Sequence, residues 1–108
     1  MNSSSAPWKV LSSKAAASVL MEGWNLATLE ADIEETRTFA MEIVFDAPFL
    51  TPPVVQIGIT GFDIDQRDSA RLSVTADGIT EYGFTAIIST WSNTRVYATE
   101  FNWFAIGA

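Results

Sequence analysis

The feature that most restricts this chain is a series of short apolar runs with a period of two, each closed by residues that interrupt a strand. From Thr38 onward, Phe39, Met41, Ile43 and Phe45 alternate with Ala40, Glu42 and Val44. Such alternation puts one set of side chains on a buried face and the other on the opposite face, as a strand does and a helix does not. Asp46-Ala47-Pro48 ends that run, and Thr51-Pro52-Pro53 cannot lie inside a strand, because proline has no N–H to give to a ladder. Val54 to Thr60 reads as the next strand, with Val55, Ile57 and Ile59 on one face. Gly58 opposite them predicts close approach of another backbone. Gly61 to Ser69 is a polar connection, and Ala70 to Thr75 a short strand. Ala76-Asp77-Gly78 turns into a strand over Ile79 to Thr90, Trp91-Ser92-Asn93-Thr94 is expected to form a hairpin turn, and Arg95 to Ile106 is the last strand. Strands at this spacing, joined by turn residues, describe an all-β antiparallel sandwich or barrel.

Side-chain chemistry agrees. Val, Ile and Thr make up 27 of the 108 residues, and β-branched side chains suit a pleated surface better than a helix. The length fits one domain, and 48% apolar residues allow it to bury a core. Residues 1–9 are Ser-rich and expected to be a flexible N-terminal segment, with a single domain over 10–108. Residues 10–20 are open between an Ala-rich helix and an edge strand. The acidic stretch from Glu22 to Glu35 reads as a solvated loop.

Absences narrow the function. With no cysteine and no histidine, disulfide scaffolds, thiolate zinc sites, Ser-His-Asp triads and Cys-His dyads cannot be built. No cofactor is implied. A net charge of −7 argues against nucleic acid and anionic membranes, which require Lys and Arg to neutralise phosphates. No apolar run is long enough to span a bilayer. The N-terminus has no apolar h-region behind a basic start, so no secretory signal peptide is read. That leaves cytoplasmic storage with unconventional release, or a cell-surface or extracellular place.

Three motifs carry candidate chemistry. Asp63-Ile64-Asp65-Gln66-Arg67-Asp68 fails as an EF-hand loop, with Arg67, Asp68 and Val74 where a ligand, Gly and Glu belong. Asp side chains capping local turns explain it better. Thirteen acidic residues make chance carboxylate pairs inevitable, so glycoside hydrolysis has no specific signal and no catalytic residue is assigned. Trp91-Ser92-Asn93-Thr94-Arg95-Val96-Tyr97 is more specific. Aromatic rings offer flat apolar faces on which the C–H face of a sugar can pack, Ser92 and Asn93 offer polar groups at a rim, and Arg71 offers a fixed fork of donors for vicinal hydroxyls. The competing reading makes Trp91 and Tyr97 part of a hairpin core. The last strand is apolar on both faces, with Tyr97, Phe101 and Trp103 on one and Val96, Phe104 and Ile106 on the other, which points to an oligomer interface.

Phe45-Asp46-Ala47-Pro48-Phe49 followed by Pro52-Pro53-Val54-Val55, then Ile59-Thr60 with Asp63, the Arg71 segment, Gly83-Phe84, and above all Thr90 to Tyr97 leading to Trp103 resemble the H-type lectin domain family. The resemblance runs from about Thr36 to Ile106. It implies a six-stranded antiparallel β-sandwich assembled as a homotrimer, with Val10 to Ala17 as a first strand. It also implies binding of glycans ending in galactose or N-acetylgalactosamine at protomer interfaces. The family's hydroxyl-binding arginine matches Arg71 and its aromatic pair Trp91 and Tyr97. Ser92 stands where His is common. An acidic residue supplied by a neighbouring protomer falls at Glu34, one methylene longer than the usual Asp, and a small Gly falls at Asp32. Leu50 and Ile88 stand where some members have a bridging cysteine pair, and are expected to pack there as an apolar pair. A structural trimeric adhesion module of a surface or virion protein, with a degenerate sugar site, is the alternative.

Overall fold

The computed structural model describes residues 8–28 and 35–108. They form six strands: β1 (Lys9–Ser18), β2 (Arg37–Val44), β3 (Val54–Ile64), β4 (Ser73–Asp77), β5 (Gly83–Thr90) and β6 (Val96–Gly107). Two three-stranded sheets, ordered β1-β6-β3 and β2-β5-β4, are antiparallel throughout and pack as a sandwich. The Ala-rich stretch is a strand and not a helix. Its ladder with β6 runs unbroken from Lys9↔Gly107 to Ser18↔Ala98, so tertiary pairing overrides the helix propensity of three alanines. Lys9 begins β1, its ammonium lying over the Phe49 ring and hydrogen-bonding the Pro48 carbonyl. The rest of the N-terminal stretch, residues 1–7, lies outside the described residues.

Each sheet is centred on one of the two consecutive strands β5 and β6, and the period of two explains the core. Phe84, Ala86, Ile88 and Thr90 of β5 meet Thr99, Phe101, Trp103 and Ala105 of β6, all buried. Phe45, Phe84 and Trp103 form an aromatic triangle with centroids 6.0, 5.7 and 5.5 Å apart, in tilted and edge-on contacts. Glu100, Asn102 and Phe104 of β6 point outward.

The structure departs from the sequence reading in several places. β4 runs through the expected turn to Asp77, β5 starts at Gly83 and not at Ile79, and Leu26 in the stretch read as a solvated loop is fully buried. The stretch 91–94 is no hairpin: β5 and β6 belong to different sheets, so the chain crosses from one layer to the other there. β3 runs on to Ile64, past the expected end at Thr60, because register shifts at Ile59/Gly61 and Asp63/Ile64 absorb residues that break the alternation. Leu50 and Ile88 do not make an apolar pair. Leu50 is 74% exposed, with its amide on the Ala108 carbonyl, while Ile88 is wholly buried in mid-β5. A Cβ at Gly58 would meet only the Asn102 side chain, at 2.8 Å. The close backbone approach occurs at Gly83, where a Cβ would fall on the Ile43 carbonyl.

Candidate functional site

The crossover from β5 to β6 is a short, tightly tied segment. Ser92 sits at φ 59°, in the left-handed region that costs a residue with a Cβ. Arg37, the first residue of β2, holds it there: one nitrogen, Nη2, donates to the Ser92 carbonyl at 2.8 Å and to the Thr94 carbonyl at 2.9 Å. Burial lowers the pKa of this guanidinium, and its Nε is buried without a partner. Val96 donates its amide to the Leu26 carbonyl at 2.8 Å, and its own carbonyl accepts from the Trp24 indole at 2.9 Å, so the segment after β1 straps the far side of the crossover.

Arg71 lies on the connection before β4. Its Nη1 donates to Asn93 Oδ1 and Thr94 Oγ1, both at 2.9 Å. Thr94 is fully buried and donates to the Ser69 carbonyl at 2.5 Å, while Thr90 donates to the Arg71 carbonyl at 2.6 Å. One edge of the Arg71 guanidinium is thereby fixed, and Nε and Nη2 have no acceptor among the described residues. Trp91 leaves the end of β5 with 40% of its surface exposed, which removes it from the core. Tyr97 is half-buried, and its hydroxyl donates to Asp65 Oδ2 at 3.1 Å. Trp91 and Tyr97 do not pack as a ring pair among the described residues.

A polar chain links these positions. Asp65 receives two hydrogen bonds from the Arg67 side chain, at 2.9 and 2.6 Å, and one from the Arg67 amide at 3.0 Å. Arg95 bridges Asp65 at 3.5 Å and Asp68 at 3.2 Å. Asp68 accepts from the Asn93 amide at 3.0 Å, which returns the chain to Arg71. The Arg67 side chain, then its backbone amide, and the Tyr97 hydroxyl hold the Asp65 carboxyl well below the usual carboxylate range, against the opposing effect of burial. The same pairing pushes Arg67 up.

Sequence reading named Arg71, Trp91, Ser92 and Tyr97; the fold brings Arg71 to the crossover that carries Trp91 and Ser92, and ties the Tyr97 hydroxyl to Asp65. Asp32 and Glu34 lie outside the described residues. Arg37, Asp65 and Asp68 were missed as parts of this region, and Arg95 was named only as a member of the 91–97 motif. The Asp63–Asp68 run was legible as turn-capping, which Asp65 does at Arg67. Its pairing with Arg95 spans two sheet connections and leaves no mark in local sequence.

The family model for the H-type lectin domain matches residues 40–106. The chain is 32% identical over 72 residues to a Fuscovulum blasticum protein named ATP synthase subunits region ORF 7, a match covering 67% of this chain and 63% of that one. Its fold is similar to two structures of discoidin II from Dictyostelium discoideum, the native recombinant and the wild-type protein. Their TM-scores are 0.76 and 0.77 at 23% identity, over 98% and 99% of this chain and 39% of each discoidin chain. The chain thus spans less than two thirds of the length of these relatives.

Proposed function

Because this chain belongs to the H-type lectin domain family, a family of non-enzymatic carbohydrate-binding domains, we propose that it is a lectin for terminal galactose or N-acetylgalactosamine-type sugars. The observation that carries the reading is the Arg71 guanidinium, fixed on one edge by Asn93 and Thr94 of the crossover and left with free donors on the other, while the same crossover opens with the partly exposed Trp91. A planar donor fork and an apolar ring on one crossover suit a ring sugar, whose vicinal hydroxyls and C–H face require those two surfaces together. Tyr97 and Ser92 complete the wall and rim. Glu34 and Asp32 are assigned to the same sugar from a neighbouring protomer, where Glu34 accepts from hydroxyls.

We place these sites in a homotrimer. The outer face of the β1-β6-β3 sheet supports self-association. Val10 and Val54, 60% and 62% exposed, flank Ile106 in one row, and Phe104, 41% exposed, lies in the next row between Ser12 and Gln56. Contiguous exposed apolar surface of this kind marks an interaction face. Each shallow site is weak alone, and several on one rigid assembly raise avidity on a glycan-coated surface without new contacts.

A glycan array on the purified chain, with its mass read by light scattering, tests the proposal. Wild type is expected to bind galactosides as a trimer and Arg71→Ala to lose them; equal behaviour of the two would refute the site. Ser92 and Glu34, which depart from the family pattern, favour the second reading, a trimeric adhesion module with a degenerate site. A trimer silent to every glycan would establish it.

A further inference from the structure

A hollow of about 400 Å³ is lined by Asp63, Ile64, Asp65, Gln66, Arg67 and Tyr97, and its Asp65 is linked through Arg95, Asp68 and Asn93 to Arg71 of the proposed sugar site. We infer that it is an extended subsite for a second, neutral sugar ring, so that the preferred ligand is a disaccharide or longer glycan. The inference rests on the lectin reading above. Tyr97 lines this hollow and is the residue assigned above to the wall of the sugar site, which gives one ligand its route from one to the other.

The chemistry of the rim selects the ligand class. Arg67 is pinned to Asp65 through Nε and Nη2. Its third nitrogen, Nη1, has no acceptor among the described residues, and the side chain is 70% exposed. Asp63 and Gln66 are exposed, and their side chains make no hydrogen bond among the described residues. The hollow therefore presents one pre-positioned donor, one free carboxylate acceptor, one amide that does both, and an aromatic wall. A hydroxyl both donates and accepts, so a polyhydroxylated ring can use all of these at once. An anionic group, such as a sulfate or a sialic acid carboxylate, would face Asp63 and Asp65 in a chain of net charge −7. A cationic group would face Arg67. The volume lies in the range of small-molecule sites, about 300–1,000 Å³. Pinning by Asp65 also removes much of the ordering cost of the Arg67 side chain before any ligand arrives.

The test is a titration of the chain with methyl β-galactoside and with lactose. One or two additional hydrogen bonds to a partly exposed rim correspond to about three- to tenfold tighter binding of lactose. Gln66→Ala and Asp63→Ala are each expected to reduce that advantage while leaving the affinity for the monosaccharide unchanged. Neither substitution touches Asp65 or the crossover, so the fold and first site are preserved. Equal affinity of wild type for the two sugars would overturn the subsite and leave the lectin reading standing. An advantage that survives both substitutions would overturn it as well. Failure to bind either sugar would overturn the lectin reading and the subsite with it.

Discussion

Arg37→Met is the sharpest test of how this fold holds its crossover. The guanidinium donates from one nitrogen to the carbonyls of Ser92 and Thr94, at 2.8 and 2.9 Å, from the start of a different strand. Hydrogen bonds from a charged donor each contribute about 1.5–3 kcal/mol net. Removing both leaves two carbonyls short of a partner and takes away the side-chain bond to the Ser92 carbonyl that helps hold its left-handed conformation. Against that loss stands a gain, since the buried and unpartnered Nε of Arg37 disappears and an unsatisfied buried group costs about 1–3 kcal/mol. Methionine keeps most of the stem packing, so the balance is a destabilisation of about 2 kcal/mol. For a domain near this size that lowers the melting temperature by about 10 °C. Urea unfolding followed by tryptophan fluorescence measures it, at one protein concentration throughout because assembly contributes to apparent stability. Galactoside affinity should fall as well, because Asn93 and Thr94 position Arg71. A loss below about 0.5 kcal/mol, within the range of an ordinary surface substitution, with unchanged affinity would show that Arg37 is not the clamp and that the crossover is held by its other ties, from Leu26, Trp24, Ser69, Asp68 and Arg71.

Three further outcomes are expected. Gly83→Ala should destabilise by about 1–3 kcal/mol in the same unfolding assay, because its Cβ is forced onto the Ile43 carbonyl and strands β2 and β5 must separate; a neutral result would mean the two strands are free to shift. Asp65→Asn should be less stable than wild type at neutral pH. Since the folded Asp65 pKa lies below its ordinary value of 3.8, the contribution is whole above pH 3.8 and is lost as pH falls further, so melting temperatures of the two proteins should converge in strong acid; a gap that stays constant from pH 6 to pH 2 would contradict the pairing. Phe104→Lys puts a charge in the centre of the exposed apolar rows of β6 and should shift the mass in sedimentation toward the monomer while leaving the far-ultraviolet spectrum intact; an unchanged oligomer would locate the interface elsewhere.

The legible part of this protein is the part written in local pattern. Phe39, Met41 and Ile43 declare the inner face of β2 through their period of two, and Pro52-Pro53 declares the start of β3. Arg71, Trp91 and Tyr97 could be singled out because their residue types and spacing resemble the family pattern, and Ser92 because it departs from it. The alternation in β6 was read as apolar on both faces, and the structure assigns the two faces different work. Phe101 and Trp103 build the core, whereas Phe104 is left exposed.

What the sequence by itself determined was most of the extended stretches from Thr38 onward, the apolar face of strands such as β2, and which residue types could meet a sugar. These follow from backbone geometry, which repeats every two residues and needs no partner to be named. Only the tertiary structure decided which strand lies beside which. The turn at 91–94 is polar whether it folds back as a hairpin or crosses to the other sheet, and the choice depends on β5 pairing with β2 and β4 while β6 pairs with β1 and β3. The same holds for the Asp65–Arg95–Asp68–Asn93–Arg71 chain. Hydrogen bonds and ion pairs act over a few ångströms, so their partners are chosen by the packing that brings distant loops together, and no local pattern records them.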